Sequence, residues 1–125
     1  MILDTNALSA VADDDPAAVR VFSQAKTIEL PVFVLGEYRF GIAQSRRSKE
    51  YEMWLEQLIA ATRVLDVTAD ASDHYAEIRS QLKKVGQPIP SNDLWIAAVC
   101  RQHRLPLMSR DKHFDAVHDL DRVGW

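Results

Sequence analysis

Short apolar runs that stop at an acid or a turn residue, set between longer stretches of helical spacing, restrict this chain more than any other feature. Ile2-Leu3 is one such run; it ends at Asp4, and Thr5-Asn6 leads from it into a helix-compatible segment over 7–12. The cluster Asp13-Asp14-Asp15 before Pro16 is a stop and a restart, suited to cap a second helix that carries Val19, Phe22 and Ala25 on one side. Residues 27–30 form a candidate strand, and Pro31 can open a helix running through Glu37 to about Ser45. Tyr51, Trp54, Leu55, Leu58 and Ile59 recur at helical spacing within 46–62, so the two segments form a helical hairpin. A strand is expected at 64–67, and an amphipathic helix over 69–85 closes at Gly86. Gln87-Pro88-Ile89-Pro90 must be extended. Ser91 is a good N-cap for a helix over 92–104, 105–109 is a strand, and a short helix and a last strand near Arg122-Val123 finish the chain. Short strands alternating with helices specify an α/β domain with a mainly parallel sheet of about five strands and helices on both faces.

The 125 residues fit one domain, long enough to bury roughly two-thirds of the surface of the unfolded chain. With 47% apolar and 26% charged residues the chain is too hydrophobic to be disordered. Cys100 is the single cysteine, so no internal disulfide is available and a reducing cytoplasm is the expected compartment. The N-terminus lacks the basic and apolar stretches of a signal or transit peptide, and no apolar run approaches the ~20 residues that span a bilayer; a soluble, complete chain is expected.

Acids at strand ends and in first helical turns meet at one edge of a parallel sheet. Asp4 follows the first strand, Asp111 follows the strand containing Leu107-Met108-Ser109, and Asp93 lies in the first turn of its helix. Glu37 has Phe33, Val34, Phe40 and Gly41 as its helical neighbours, which places its charge on an apolar face. A buried carboxylate must be neutralised, paired or bound to metal. Any one of these acids alone is ordinarily a cap, a surface charge or half of an ion pair; the joint pattern carries the argument. Mg2+ and Mn2+ favour such oxygen ligands, and a site with two ions about 3.5–4 Å apart activates water and stabilises the leaving oxygen of a phosphodiester. The formal charge of −3 does not exclude a nucleic-acid substrate, because setting the four acids aside brings the remainder to +1.

Those residues resemble the motifs of PIN-domain ribonucleases, specifically the VapC toxins of VapBC toxin–antitoxin pairs, over essentially the whole chain. Ile-Leu-Asp-Thr-Asn at 2–6 looks like the opening motif, which implies Asp4 as a metal-binding acid supported by Thr5 and Asn6. Leu-Gly-Glu at 35–37 gives Glu37, and Asn-Asp-Leu-Trp-Ile-Ala-Ala at 92–98 gives Asp93. Ser-Arg-Asp-Lys-His-Phe at 109–114 gives Asp111, with Ser109 at the usual serine or threonine position and Asp115 as a further supporting acid. The resemblance implies one PIN domain over 1–125, Mg2+ or Mn2+ dependence, and endoribonuclease activity as the toxin of a type II toxin–antitoxin system. It also implies a homodimer, no membrane, transfer RNA as a plausible structured substrate, and inhibition by a VapB-type antitoxin. That antitoxin would insert a segment beside the site, with the hairpin of 32–45 and 46–62 as the groove wall, although Trp54, Leu55 and Leu58 are read mostly as core.

Arg39, Arg46, Arg47, Arg110 and Lys112 are candidates for phosphate contacts, with Arg110 and Lys112 the better placed beside Asp111. His113 and His118 would form a metal pair only on a continuous helix and lack a third ligand, so zinc is not expected. Cys100 among Ala97, Ala98 and Val99 reads as a small buried hydrophobe. A receiver-type signalling domain would need a phosphorylatable Asp on a central strand, where residues 48–53 are helical. A haloacid-dehalogenase-like phosphatase would need a second Asp where Asn6 stands. The alternative that remains is a catalytically silent PIN-like module that binds RNA or protein.

Overall fold

Why the central strands read as unbroken apolar runs is plain from the sheet. The computed structural model describes residues 1–125 and contains β1 (Ile2–Leu3), α1 (Thr5–Ala12), α2 (Pro16–Gln24), β2 (Glu29–Pro31), α3 (Val32–Ala43) and α4 (Ser48–Ala61). These are followed by β3 (Arg63–Leu65), α5 (Ala69–Lys84), α6 (Ser91–His103), β4 (Leu107–Met108), a 3-10 turn (Lys112–Ala116) and β5 (Arg122–Val123). The strands lie in the order β3-β2-β1-β4-β5, and every neighbouring pair is parallel. Ile2 is in register with Leu107, and Leu3 with Met108. These four side chains are fully buried because layers cover both sides of the central strands. The edge strands are less protected: Arg63 and Val64 are exposed.

Right-handed crossovers fix the layers. The chain moves from β1 to β2 to β3 in one direction, which places α1 to α4 on one face; it then returns past β1 to β4, which places α5 and α6 on the other. The packing agrees, since α1 contacts α2 and α3, α3 contacts α4, and α5 lies along α6. The expected five-stranded parallel α/β architecture is therefore the one observed.

Local chemistry explains the element ends. Asp15 accepts N–H bonds from Ala17 and Ala18 and caps α2 at Pro16, as the aspartate cluster implied. Gly86 takes φ +68° after α5, and the N–H of Gln87 reaches back to the Leu82 carbonyl, closing the helix. Two expectations change. Ser91 is the first residue of α6 and Pro90 its cap; the Ser91 hydroxyl instead lies 3.2 Å from the Tyr75 hydroxyl. The first helix starts at Thr5 rather than Ala7, because Asp4 is its N-cap. Within the hairpin, Leu55 is fully buried and Trp54 half-buried, whereas Phe40 and Met53 are 73% and 67% exposed. No helix is long and apolar enough to cross a membrane.

Candidate active site

In this strand order the direction of winding reverses between β1 and β4, and the crevice beyond the carboxyl ends of those two strands is where open α/β sheets bind ligands. Asp4 leaves β1 into that crevice, and Ser109 to Asp111 leave β4 into it. Asp4 is buried, at 5% exposure, and its Oδ1 accepts the Ala7 N–H at 2.7 Å. Burial pushes its pKa up, opposed by bonds from the Ser109 hydroxyl and the Ala7 N–H, and the charges of Asp93 and Asp111 raise it further. Ser109 is completely buried. Its hydroxyl accepts the Asp111 N–H at 3.0 Å, and its carbonyl accepts Arg122 Nη1 at 3.1 Å, so one serine beside Asp4 ties Asp111 to β5.

Asp93 enters from the first turn of α6 with its side chain 23% exposed. Burial raises its pKa against the pull of His113, and the charges of Asp111 and Glu37 act in the same direction as burial. Glu37 arrives from the middle of α3, where Thr5 Oγ1 donates to its Oε2 at 2.9 Å. The expectation that Glu37 is buried is corrected: the residue is exposed, because its neighbours Phe40 and Gly41 face solvent and only Val34 of the set is fully buried. The four acids thus converge on one edge, two sheltered and two open.

The remaining candidates divide. Thr5 meets Glu37, whereas Asn6 is exposed. Asp115 gives both carboxylate oxygens to Arg122, at 2.6 and 2.9 Å, and its link to the acids runs through the Arg122 bond to Ser109. Arg39 is engaged by Glu52 and Glu56, Arg47 by Glu50, and Arg110 by Asp15 while its guanidinium lies 4.7 Å from the Trp125 ring centre. Arg46 and Lys112 are exposed. Cys100 is buried at 1% exposure, which pushes its thiol pKa up and makes it an inert filler.

Sequence reasoning missed His113. The 3-10 turn ends at Ala116, so His113 and His118 share no helix; His113 instead stands between Asp93 and Asp111, at 3.0 and 3.1 Å. Asp111 is two residues away in the chain, but only the return of the chain past α6 brings Asp93 alongside, and no local spacing announces that.

Donor atoms of Asp93, Asp111 and His113 lie within 4.8 Å of one another, the charge of Asp4 is disfavoured by Asp93 and Asp111 and that of Asp93 by Glu37, an arrangement that a hard divalent cation relieves. The donor set therefore fits Mg2+ or Mn2+. The family profile described as PIN domain matches residues 1–120. VapC ribonuclease Y4jK of Sinorhizobium fredii is 32% identical over 99% of this chain and 96% of its own length. The tRNA(fMet)-specific endonuclease VapC of Shigella flexneri is 27% identical over the same shares. Among solved structures, VapBC-1 from nontypeable Haemophilus influenzae superposes with a TM-score of 0.81 at 27% identity, covering 99% of this chain and 96% of that one. With the parallel sheet, the acidic crevice and these likenesses in agreement, the chain belongs to the PIN-domain family, among its VapC ribonucleases.

Proposed function

We propose that this chain is a toxin endoribonuclease in which Asp4, Glu37, Asp93 and Asp111 hold Mg2+ or Mn2+ for hydrolysis of RNA phosphodiester bonds. The observation that carries the reading is the meeting of the four carboxylates at the crevice between β1 and β4, where burial and mutual repulsion raise the pKa of Asp4 and Asp93. When bound, such a cation lowers the pKa of a coordinated water and offsets charge on the phosphate and the leaving oxygen. The chain itself supplies rigidity and orientation. The Ala7 N–H aims Asp4, Thr5 aims Glu37, and Ser109 fixes the backbone of Asp111. Lys112, exposed beside Asp111, is free to meet a phosphate, and Arg110 can do so by exchanging Asp15 for it.

The partner is an antitoxin of the VapB type, by analogy with the VapBC relatives. A hollow of about 300 Å3 beside Glu37, lined by Thr5, Asp13, Tyr38 and Tyr51 among others, and the exposed Phe40 and Met53 on the hairpin offer it surface. Structured RNA, including transfer RNA, is the substrate class we assign. We read residues 1–125 as one domain that works as a homodimer in the cytoplasm.

The test is cleavage of a mixed RNA pool by purified protein with Mg2+, with Mn2+ and with chelator, beside Asp4→Asn. Metal-dependent cutting lost in the variant supports the reading. Cutting that survives the substitution removes Asp4 from the site. Absence of both cutting and metal binding would favour the silent binding module.

A further inference from the structure

His113 has no place in a four-acid site, yet the fold sets its imidazole against two of those acids. Nε2 lies 3.0 Å from Asp93 Oδ2, and Nδ1 lies 3.1 Å from Asp111 Oδ1. Although the side chain is 30% exposed, Nε2 itself is sealed from solvent and makes no hydrogen bond. At 3.0 Å this means that nitrogen and carboxylate oxygen stand side by side, not aligned donor to acceptor. A buried nitrogen left without a partner calls for an explanation, and a bound ion is one.

The spacing fits that explanation. Two donors of one ion, each about 2.1 Å from it and at right angles, stand about 3.0 Å apart. The donor atoms of Asp93, Asp111 and His113 all lie within 4.8 Å of one another. Nδ1 stands 3.1 Å from Asp111 Oδ1, and a carboxylate that accepts the Nδ1 proton fixes the tautomer and leaves the Nε2 lone pair for an ion. The ring is well anchored for the task. Phe114, the next residue, is fully buried, and its ring packs against the imidazole at 4.8 Å between centres.

We propose that His113 is a metal ligand through Nε2, beside Asp93 and oriented by Asp111, and that this nitrogen tilts the site toward Mn2+, Co2+ or Zn2+ over Mg2+. Imidazole nitrogen is a softer donor than carboxylate oxygen; the borderline ions accept it, whereas Mg2+ prefers oxygen and retains its water. The inference rests on the four-acid metal centre proposed above and adds a donor that the acids do not provide.

Mn2+ bound to the purified protein, followed by pulsed electron paramagnetic resonance, reads the ligand directly and without any activity. The expected result is a 14N modulation from a coordinated imidazole, converted to a 15N pattern when histidine is 15N-labelled, a control that needs no variant. In His113→Gln the modulation is lost and Mn2+ affinity falls about tenfold, while Mg2+ affinity falls less than about threefold. Mn2+ bound without a histidine modulation, a modulation that persists in His113→Gln, or an unchanged preference for Mn2+ over Mg2+ overturns the inference. The four-acid centre survives those outcomes if Asp4→Asn loses Mn2+. Mn2+ binding indifferent to Asp4→Asn overturns both.

Discussion

Asp4 and Glu37 bring the same functional group to the same edge of the sheet, and the fold treats them oppositely. Asp4 is buried, caps α1 with one oxygen and donates its own N–H to the Met108 carbonyl of β4, so its position is set by the backbone around it. Glu37 projects from a helix into solvent and is steadied by one hydroxyl, that of Thr5. The first is a structural residue that also faces the crevice; the second is held by a single side-chain contact. Removing charge from the first must therefore disturb both stability and chemistry, whereas the second can be altered with the fold untouched.

The largest effect is expected from Asp4→Asn, which keeps an oxygen for the Ala7 N–H but removes the sheltered charge. RNA cleavage with Mn2+ should fall on the order of a thousandfold in a quantitative assay. A loss of less than tenfold breaks the claim that Asp4 is central.

Glu37→Gln comes next: Mn2+ affinity by calorimetry should drop about tenfold, with thermal unfolding moved by no more than about 1 °C, because the side chain is exposed. Equal metal affinity in the variant would remove Glu37 from the site.

The contrast also has a pH signature in the metal-free protein. Asp4 and Asp93 have raised carboxyl pKa values. Folded protein then binds those protons more tightly than unfolded protein does. The stability they contribute is complete below about pH 4 and is lost as pH rises through their raised values. Urea unfolding should show that decline; Asp4→Asn should flatten it, whereas Glu37→Gln should change it only slightly, through the small push of its charge on Asp93. Identical slopes in wild type and Asp4→Asn would contradict burial as the cause.

The smallest effect concerns the rim. The pair Arg110→Ala and Lys112→Ala should weaken RNA binding a few-fold and lower its salt dependence, with Mn2+ affinity retained. Arg110 contributes less than its position beside Asp111 implies, because Asp15 already holds it. Unchanged RNA affinity would exclude both residues.

The sheet was legible because its central strands are apolar on both faces and bounded by an acid, a proline or a serine, so Ile2-Leu3 before Asp4 and Leu107-Met108 between Pro106 and Ser109 declare themselves without alternation. Asp4, Asp93 and Asp111 were legible from their places at strand ends and in a first helical turn. Glu37 was found for a reason that does not hold: the apolar residues one turn on, Phe40 among them, face solvent instead of core. Helical spacing says which residues share a face, not which way that face points. His113 was invisible because its neighbours come from α6 and the end of β4, and because a 3-10 turn keeps no helical pairing with His118. The engagement of Arg122 with Asp115 and the Ser109 carbonyl was equally hidden, being a tertiary clasp between residues with no shared periodicity.

That clasp makes the closing strand part of the frame of the site. The Ser109 N–H donates to the Val123 carbonyl and its carbonyl accepts from Arg122, so the outer side of β4 is pinned by β5. The Ser109 hydroxyl in turn accepts the Asp111 N–H, so a change that loosens β5 reaches the acids without touching one of them.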